Sequence, residues 1–162
     1  MKLAVLYHSV TGNTKQMAEV IVEGMQTVEN VKSRAFPIEK IDEEWVKGSK
    51  CVILGTPIYY ASVSASIKSF LERPCNKYEL AGKIGGAFAT ANYVHGGDEL
   101  GIRSILDHML CHGMLTYSGG FAYGNPVIHL GPVALTGRLD ESVETFKLYG
   151  QRMAAKTIEI FK

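Results

Sequence analysis

The sequence has no excess of charge of either sign and no long hydrophobic run. Its 162 residues include 17 Lys and Arg against 16 Asp and Glu, which gives a formal net charge of +1. A nucleic-acid surface needs clustered cations, and here Lys and Arg are scattered, so we expect no nucleic-acid partner. The longest apolar runs are far too short to cross a bilayer, so we expect no membrane partner.

Cysteines are few and widely spaced. Cys51, Cys75 and Cys111 form no C-x-x-C pair, so neither a zinc site nor an iron–sulfur cluster is expected. The apolar start of the chain, residues 2–6, is too short for a signal peptide. An odd number of cysteines without an export signal indicates reduced thiols and a cytoplasmic protein. Cys75, beside Pro74 in a loop, is the one cysteine predicted to be accessible.

Several phosphate-binding motifs are also absent. The chain has no G-x-x-x-x-G-K-[ST], which excludes a P-loop NTPase. It has no G-x-G-x-x-G after its first strand, so the usual dinucleotide fingerprint is missing too. The loop after that strand carries neither the cysteine of a thiol-dependent phosphatase nor the carboxylates with which a receiver domain holds Mg²⁺.

What the sequence does contain is a strand, loop and helix suited to holding an anion. Residues 2–7 form a short apolar strand, and an amphipathic helix with Asn13 as its N-cap is predicted to reach Val28. A helix N-terminus offers unpaired N–H groups and a partial positive charge. The loop has hydroxyl side chains but no Lys or Arg, which favours a small phosphomonoester, although the same residues could simply cap the helix. The predicted phosphate-binding residues are Ser9, Thr11, Gly12, Asn13 and Thr14.

Apolar strands and amphipathic helices alternate along the chain, which favours a parallel sheet covered on both faces. This alternation suits a flavodoxin-like three-layer α/β/α fold, with a five-stranded parallel sheet of order 2-1-3-4-5 in one domain, residues 1–162. In such sheets the ligand lies beyond the carboxyl ends of the strands, where the strand order reverses. The predicted strands are residues 2–7, 31–36, 51–55, 83–90 and 114–117. The predicted helices are residues 13–28, 41–46, 64–72, 98–112 and 140–161.

Three loops, residues 9–14, 56–63 and 90–97, are expected to meet at that edge. The second carries the adjacent aromatics Tyr59 and Tyr60, which either contact a flat ligand or pack under a neighbouring loop. The third adds another aromatic, and glycines that let the backbone approach a ring. A single phosphate cradle beside aromatic loops fits FMN better than a dinucleotide. The residues predicted to contact the flavin ring are Pro57, Ile58, Tyr59, Tyr60, Thr90, Ala91, Asn92, Tyr93 and Gly97.

No side chain is assigned as an obligatory acid or base, because a flavin performs its own redox chemistry. His95 and His129 are candidates for lining the space of an electron acceptor, where a histidine can donate to a developing oxyanion. Histidines of this kind are more often structural. The Gly- and Pro-rich segment 124–137 is expected to cover the flavin edge or another subunit, and in part to complete the fifth strand.

Seven stretches of the chain match one family in particular: residues 7–14, 55–60, 66–71, 80–83, 96–99, 112–114 and 131–137. On these the chain resembles the flavodoxin-like FMN proteins, and within them the tryptophan-repressor-binding-protein-like NAD(P)H:quinone oxidoreductases. The resemblance implies FMN as cofactor, NADPH or NADH as electron donor, a small-molecule acceptor and a homo-oligomer, for which we favour a dimer over a tetramer. The chain departs from that branch in a shorter connection before the third strand. It also has Ile58-Tyr59-Tyr60 in place of an Arg-Phe pair.

Together these features predict an FMN-dependent oxidoreductase that passes electrons from NAD(P)H to a quinone-like or other small acceptor. A competing interpretation is an electron shuttle between protein partners. The near-neutral charge argues against a shuttle, because acidic faces steer such carriers to basic partners. A third interpretation is a flavin-binding regulatory module without turnover.

Overall fold

The computed structural model describes the backbone of residues 1–162 and every side chain except that of Pro74. Strands and helices alternate along the chain, as predicted. The strands are β1 (Lys2–Tyr7), β2 (Lys32–Pro37), β3 (Ser49–Tyr59), β4 (Ser62–Val63), β5 (Ile84–Ala91), β6 (Leu115–Thr116) and β7 (Val133–Leu135). The α-helices are α1 (Asn13–Gln26), α2 (Glu43–Lys47), α3 (Ala65–Glu72), α4 (Asp98–Cys111) and α5 (Val143–Ile160). Short 3₁₀ helices cover Pro74–Tyr78 and Leu139–Ser142.

The sheet has the predicted topology. Strands β2, β1, β3 and β5 pair in that order and in parallel. The fifth position is divided, since β6 pairs with the first residues of β5 and β7 with the last, both in parallel. The short strand β4 folds back antiparallel onto β3. The order reverses between β1 and β3, so the carboxyl ends of these strands are where a ligand is expected.

Two apolar cores cover the two faces of the sheet. Successive strand residues point to opposite faces, so Leu3 and Val5 of β1 pack with α1 and α5, whereas Ala4 and Leu6 pack with α3 and α4. This is the three-layer arrangement expected from the alternating elements. None of the helices in the described chain has the length and hydropathy needed to span a bilayer.

The Gly- and Pro-rich segment 124–137 is part strand and part loop. Val133–Leu135 complete the edge of the sheet, as the strand interpretation of this segment expected. Ile128 is buried in the core beneath α5. Arg152 of α5 secures the loop, because its guanidinium donates to the carbonyl of Pro126 at 2.8 Å.

Two local predictions were wrong. Strand β3 runs on to Tyr59 instead of ending at residue 55, and β4 takes up Ser62 and Val63, so six of the eight residues of the predicted second loop are strand. Cys75 is fully buried, because the 3₁₀ helix after α3 turns it inward and its thiol donates to the carbonyl of Leu71 at 2.9 Å. Burial raises the pKa of Cys75 to about 11. The exposed cysteine is Cys111.

Candidate functional site

The loop after β1 forms a turn around Ser9. The Ser9 hydroxyl oxygen accepts hydrogen bonds from the N–H groups of Gly12 (3.2 Å) and Lys15 (3.3 Å). Gly12, not Asn13, is the N-cap of α1. Its φ of 97° lies in the left-handed region that glycine enters without strain. Gly12 has no side chain to cap the helix, and the Ser9 hydroxyl is the acceptor for the Lys15 N–H of the first turn. Across the described residues, the N–H groups of Asn13 and Thr14 make no hydrogen bond. The helix therefore presents free donors at its positive end.

Side chains from three elements converge on this helix start. The hydroxyl oxygens of Thr14 and Thr90 lie 2.8 Å apart, both buried, which joins α1 to the end of β5. The Asn13 amide donates to the Thr136 hydroxyl at 3.0 Å. Thr11 stays exposed at the mouth of the loop.

A cavity of about 390 Å³ opens in front of these groups. Predicted site residues line most of it, but Val10 and Thr136 had not been predicted. Thr136 follows a strand 123 residues beyond Asn13, and only the paired fold reveals their proximity. The lining residues are Val10, Thr11, Asn13, Thr14, Pro57, Ile58, Tyr59, Thr90, Ala91, Asn92 and Thr136.

A second cavity, of about 350 Å³, adjoins the first and shares four of its residues, so the two form one cleft. The first cavity is polar at the helix start, and the second has an aromatic rim. The lining residues of the second are Ile58, Tyr59, Tyr60, Ala61, Ala91, Asn92, Tyr93 and Gly96.

The aromatic rim stands free of the protein. Tyr60 is fully exposed, Tyr93 is 74% exposed and Tyr59 is 44% exposed. Tyr59 and Tyr60 therefore do not pack under a neighbouring loop, which was the alternative prediction for them. Three exposed aromatic rings around a cleft offer flat apolar surface that a planar ligand would cover.

A tight hairpin turn carries the tip of this rim. Tyr59 pairs with Ser62, which leaves Tyr60 and Ala61 as a two-residue turn with φ of 49° and 59°. Both values are positive, as a type I′ turn requires, although neither residue is the Asn or Gly usual there. Gly97, predicted to line the site, lies behind this turn instead. A Cβ on Gly97 would come within 2.4 Å of the Ala61 backbone.

The two candidate histidines do not line the cleft. The His129 ring lies 5.1 Å from that of Phe121, and its carbonyl accepts from the Ser118 hydroxyl at 2.7 Å, so it belongs to the loop before β7. His95 follows the aromatic rim on the loop before α4.

Asp98, which begins that helix, is buried with one carboxyl oxygen unpartnered among the described atoms, and burial raises its pKa.

The residues present suit a phosphorylated planar heterocycle. Free backbone N–H groups at a helix start bind a phosphate without a cation. The opposite end of the cleft is aromatic and apolar, as the ring of FMN needs. Within the described part of the chain, no cluster of three or more His, Cys, Asp or Glu could hold a metal ion.

Comparison of the backbone with solved structures defines the class of fold. The flavodoxin, WrbA-like protein from Agrobacterium tumefaciens superposes with a TM-score of 0.79 over 98% of both chains, at 24% sequence identity. The fold is therefore flavodoxin-like, as predicted.

Sequence comparison then identifies the family. The family model described as NADPH-dependent FMN reductase matches residues 1–126, and the chain belongs to that family. The chain is 37% identical over 161 residues to a flavodoxin of Clostridium saccharobutylicum, covering 99% of this chain and all of that one. It is 30% identical over 152 residues to an NAD(P)H dehydrogenase (quinone) of Geotalea daltonii, covering 76% and 73% of the two chains. The predicted resemblance is confirmed, and FMN is the cofactor that the family indicates.

Proposed function

We propose that the cleft binds FMN and that the protein is an oxidoreductase passing electrons from NAD(P)H to a quinone-like or other small acceptor. The observation that carries this proposal is the distribution of polar and aromatic groups along one cleft. Free helix N–H groups and hydroxyls lie at one end, and three exposed tyrosines lie at the other.

The start of α1 would hold the phosphate. The N–H groups of Asn13 and Thr14 and the Thr11 hydroxyl would donate to its oxygens. Gly12 and Ser9 would shape the turn that aims these donors. Hydrogen bonds to an ionised group are stronger than neutral ones, which allows uncharged donors to hold a dianion.

The ends of β3 and β5 and the loops that follow them would hold the flavin ring. Main-chain groups of these residues would read the edge of the heterocycle, while the tyrosines would cover its faces. The residues proposed for this contact are Pro57, Ile58, Tyr59, Tyr60, Thr90, Ala91, Asn92 and Tyr93. Gly97 acts from behind, by supporting the turn at Ala61.

When bound, FMN supplies hydride acceptance and electron donation, and the protein supplies binding and orientation. Among the described residues that line the cleft there is no His, Asp, Glu, Lys or Arg. The side chains would therefore bind and orient the flavin, and a proton taken up with reduction would have to come from solvent at the exposed rim. Two buried free thiols and one exposed one fit the reducing cytoplasm that we propose as the location.

A second candidate function is electron transfer between proteins without a substrate of its own. The observation in its favour is the full-length match to a flavodoxin at 37% identity. The net charge of +1 weighs against it, since a carrier steered by charge needs a strongly charged face.

Stopped-flow mixing of the FMN-loaded protein with NADPH, and separately with NADH, tests the proposal. We expect the flavin absorbance to bleach within the turnover time of a quinone assay run under the same conditions. Bleaching that is much slower than quinone turnover, or absent with both nucleotides, would contradict the reductase and favour the electron carrier. Purified protein that carries no flavin and does not take up FMN would contradict both.

A further inference from the structure

A third groove, of about 540 Å³, leads outward from the aromatic end of the cleft. Tyr59 and Tyr60 line both the groove and the ring cavity, so the two spaces are continuous. Strand β4, the first turns of α3 and one residue of α4 form the rest of its wall. The lining residues are Tyr59, Tyr60, Ser62, Val63, Ala65, Lys68 and Ser104.

Lys68 is the one charged side chain among the described residues that line this groove. Its ammonium lies 3.0 Å from Nε2 of His108 and 3.2 Å from a carboxylate oxygen of Glu72. The other ring nitrogen of His108 lies 2.7 Å from the Ser104 carbonyl, to which it donates. Since an ammonium can only donate, Nε2 accepts from Lys68 in this contact. This contact joins α3 to α4 and holds the ammonium beside the groove.

We propose that this groove receives the phosphate-bearing part of the nicotinamide dinucleotide, with Lys68 binding one of its phosphates. The inference rests on the proposed function, because only a donor that reaches the flavin has reason to lie along Tyr59 and Tyr60. A nicotinamide placed on the flavin ring leaves the rest of the dinucleotide outside the cleft, where this groove begins. The hydroxyls of Ser62 and Ser104 add neutral donors to the single cation.

A phosphate can readily replace Glu72 as the anionic partner of Lys68. The side chains of Lys68 and Glu72 are 47% and 54% exposed, and an exposed ion pair of this kind contributes little to stability. A phosphate offers more charge and more acceptor oxygens than one carboxylate. Glu72 thus competes with the nucleotide phosphate for Lys68. Removing the charge of Lys68 should weaken nucleotide binding, and removing the charge of Glu72 should strengthen it.

Calorimetric titration of the FMN-loaded protein with NADP⁺ and with NAD⁺ tests this assignment. Lys68→Gln should weaken binding by roughly tenfold, and Glu72→Gln should strengthen it by about twofold. Lys32→Gln removes an equal charge at the start of β2, on the opposite edge of the sheet, and should change nothing. Weakening with both nucleotides assigns Lys68 to the pyrophosphate, and weakening with NADP⁺ alone assigns it to the 2′-phosphate. Unchanged affinity of Lys68→Gln for both would overturn the proposal.

A phosphate-free donor separates failure of this inference from failure of the proposed function. With 1-benzyl-1,4-dihydronicotinamide, flavin reduction in Lys68→Gln should match the unaltered protein, while KM for NADPH rises roughly tenfold. An unaltered protein that binds FMN yet is reduced by neither donor contradicts the proposed function. An active protein whose KM for NADPH is the same in Lys68→Gln contradicts only the role of Lys68.

Discussion

At the scale of single residues, the proposed phosphate site relies on correctly placed neutral donors, where many phosphate sites rely on the positive charge of Lys or Arg. The nearest cation in sequence, Lys15, has its side chain in an exposed i,i+4 pair with Glu19 at 3.8 Å, and its N–H bonds back to Ser9. The donors that remain are backbone N–H groups and the hydroxyls of the loop. Their strength comes from the fixed geometry of a helix start.

Replacing Thr11 and Thr14 together by Ala should weaken FMN binding by about 1–3 kcal/mol, because the Thr11 donor to a charged group is lost together with the Thr14–Thr90 contact that fixes the helix start. Calorimetry with FMN measures this directly. The Thr14 hydroxyl also bonds to that of Thr90, so thermal unfolding of the FMN-free variant must be recorded to separate lost binding from lost stability. Thr27→Ala is the matched control, since the Thr27 hydroxyl donates to a carbonyl at the far end of the same helix. Unchanged FMN affinity in the double variant, or a preference of the unaltered protein for FAD, would refute the phosphate assignment.

At the scale of elements, the β3–β4 hairpin combines backbone strain with an exposed aromatic ring. Tyr60 and Ala61 both have positive φ, which costs of order 1 kcal/mol for each residue that is not glycine. Strain of this kind persists where the surrounding structure enforces it. Here Gly97 of the following loop packs directly against Ala61, and the strained turn projects Tyr60 over the cleft.

Substitutions in this turn should separate stability from flavin binding. Ala61→Gly should raise the free energy of unfolding by about 1 kcal/mol, because glycine adopts positive φ without strain, and FMN affinity should stay unchanged. Tyr60→Asn should also stabilise the turn but weaken FMN binding by about 0.5–1.5 kcal/mol, the contribution of an aromatic contact. Denaturant unfolding and flavin fluorescence quenching measure the two effects. Equal FMN affinity in both variants would mean that Tyr60 does not touch the ring.

Elements that have a clear local pattern could be predicted from the sequence, whereas elements defined by how strands pair could not. The apolar run in β1 and the helical periodicity of α1 and α4 are local, and each was predicted close to its observed range. The apolar run in β3 was recognised too, but the strand was predicted to end four residues early. The β3–β4 hairpin was missed because Tyr60-Ala61 lacks the Asn or Gly that signals a tight turn. The division of the fifth strand was missed because it depends on which residues of β5 each short strand meets.

The same limit applies to the site. Loops at strand ends are expected to converge once the strand order is known, so most cleft residues could be predicted. Thr136 could not, because its position depends on where a long segment returns to the sheet edge. Gly97 was predicted to contact the flavin ring, and it does lie near the cleft, but the structure gives it a different physical role. Its role is close packing against a strained turn, which no local pattern reveals.

At the scale of the whole molecule, exposed apolar side chains gather around the mouth of the cleft. Contiguous exposed apolar surface marks places where proteins bind ligands or one another. FMN would cover part of the tyrosine rim, but Val94 and Leu100 lie beyond the cleft-lining residues. The exposed apolar residues near the mouth are Val10, Tyr59, Tyr60, Tyr93, Val94 and Leu100.

We therefore expect the FMN-loaded protein to form a dimer through Val94 and Leu100, at the margin of this face, so that the tyrosine rim stays open to the nucleotide. Twofold pairing is the commonest soluble assembly. Analytical ultracentrifugation at micromolar concentration should give a species near twice the 17.7 kDa chain mass. Leu100→Arg should shift it to monomer, because a cation would be buried without a partner. Leu110→Arg, at a similarly exposed position near the other end of α4, should leave the dimer intact. A monomer with full NAD(P)H turnover would instead mean that one chain completes the site, and that the apolar mouth serves the acceptor alone.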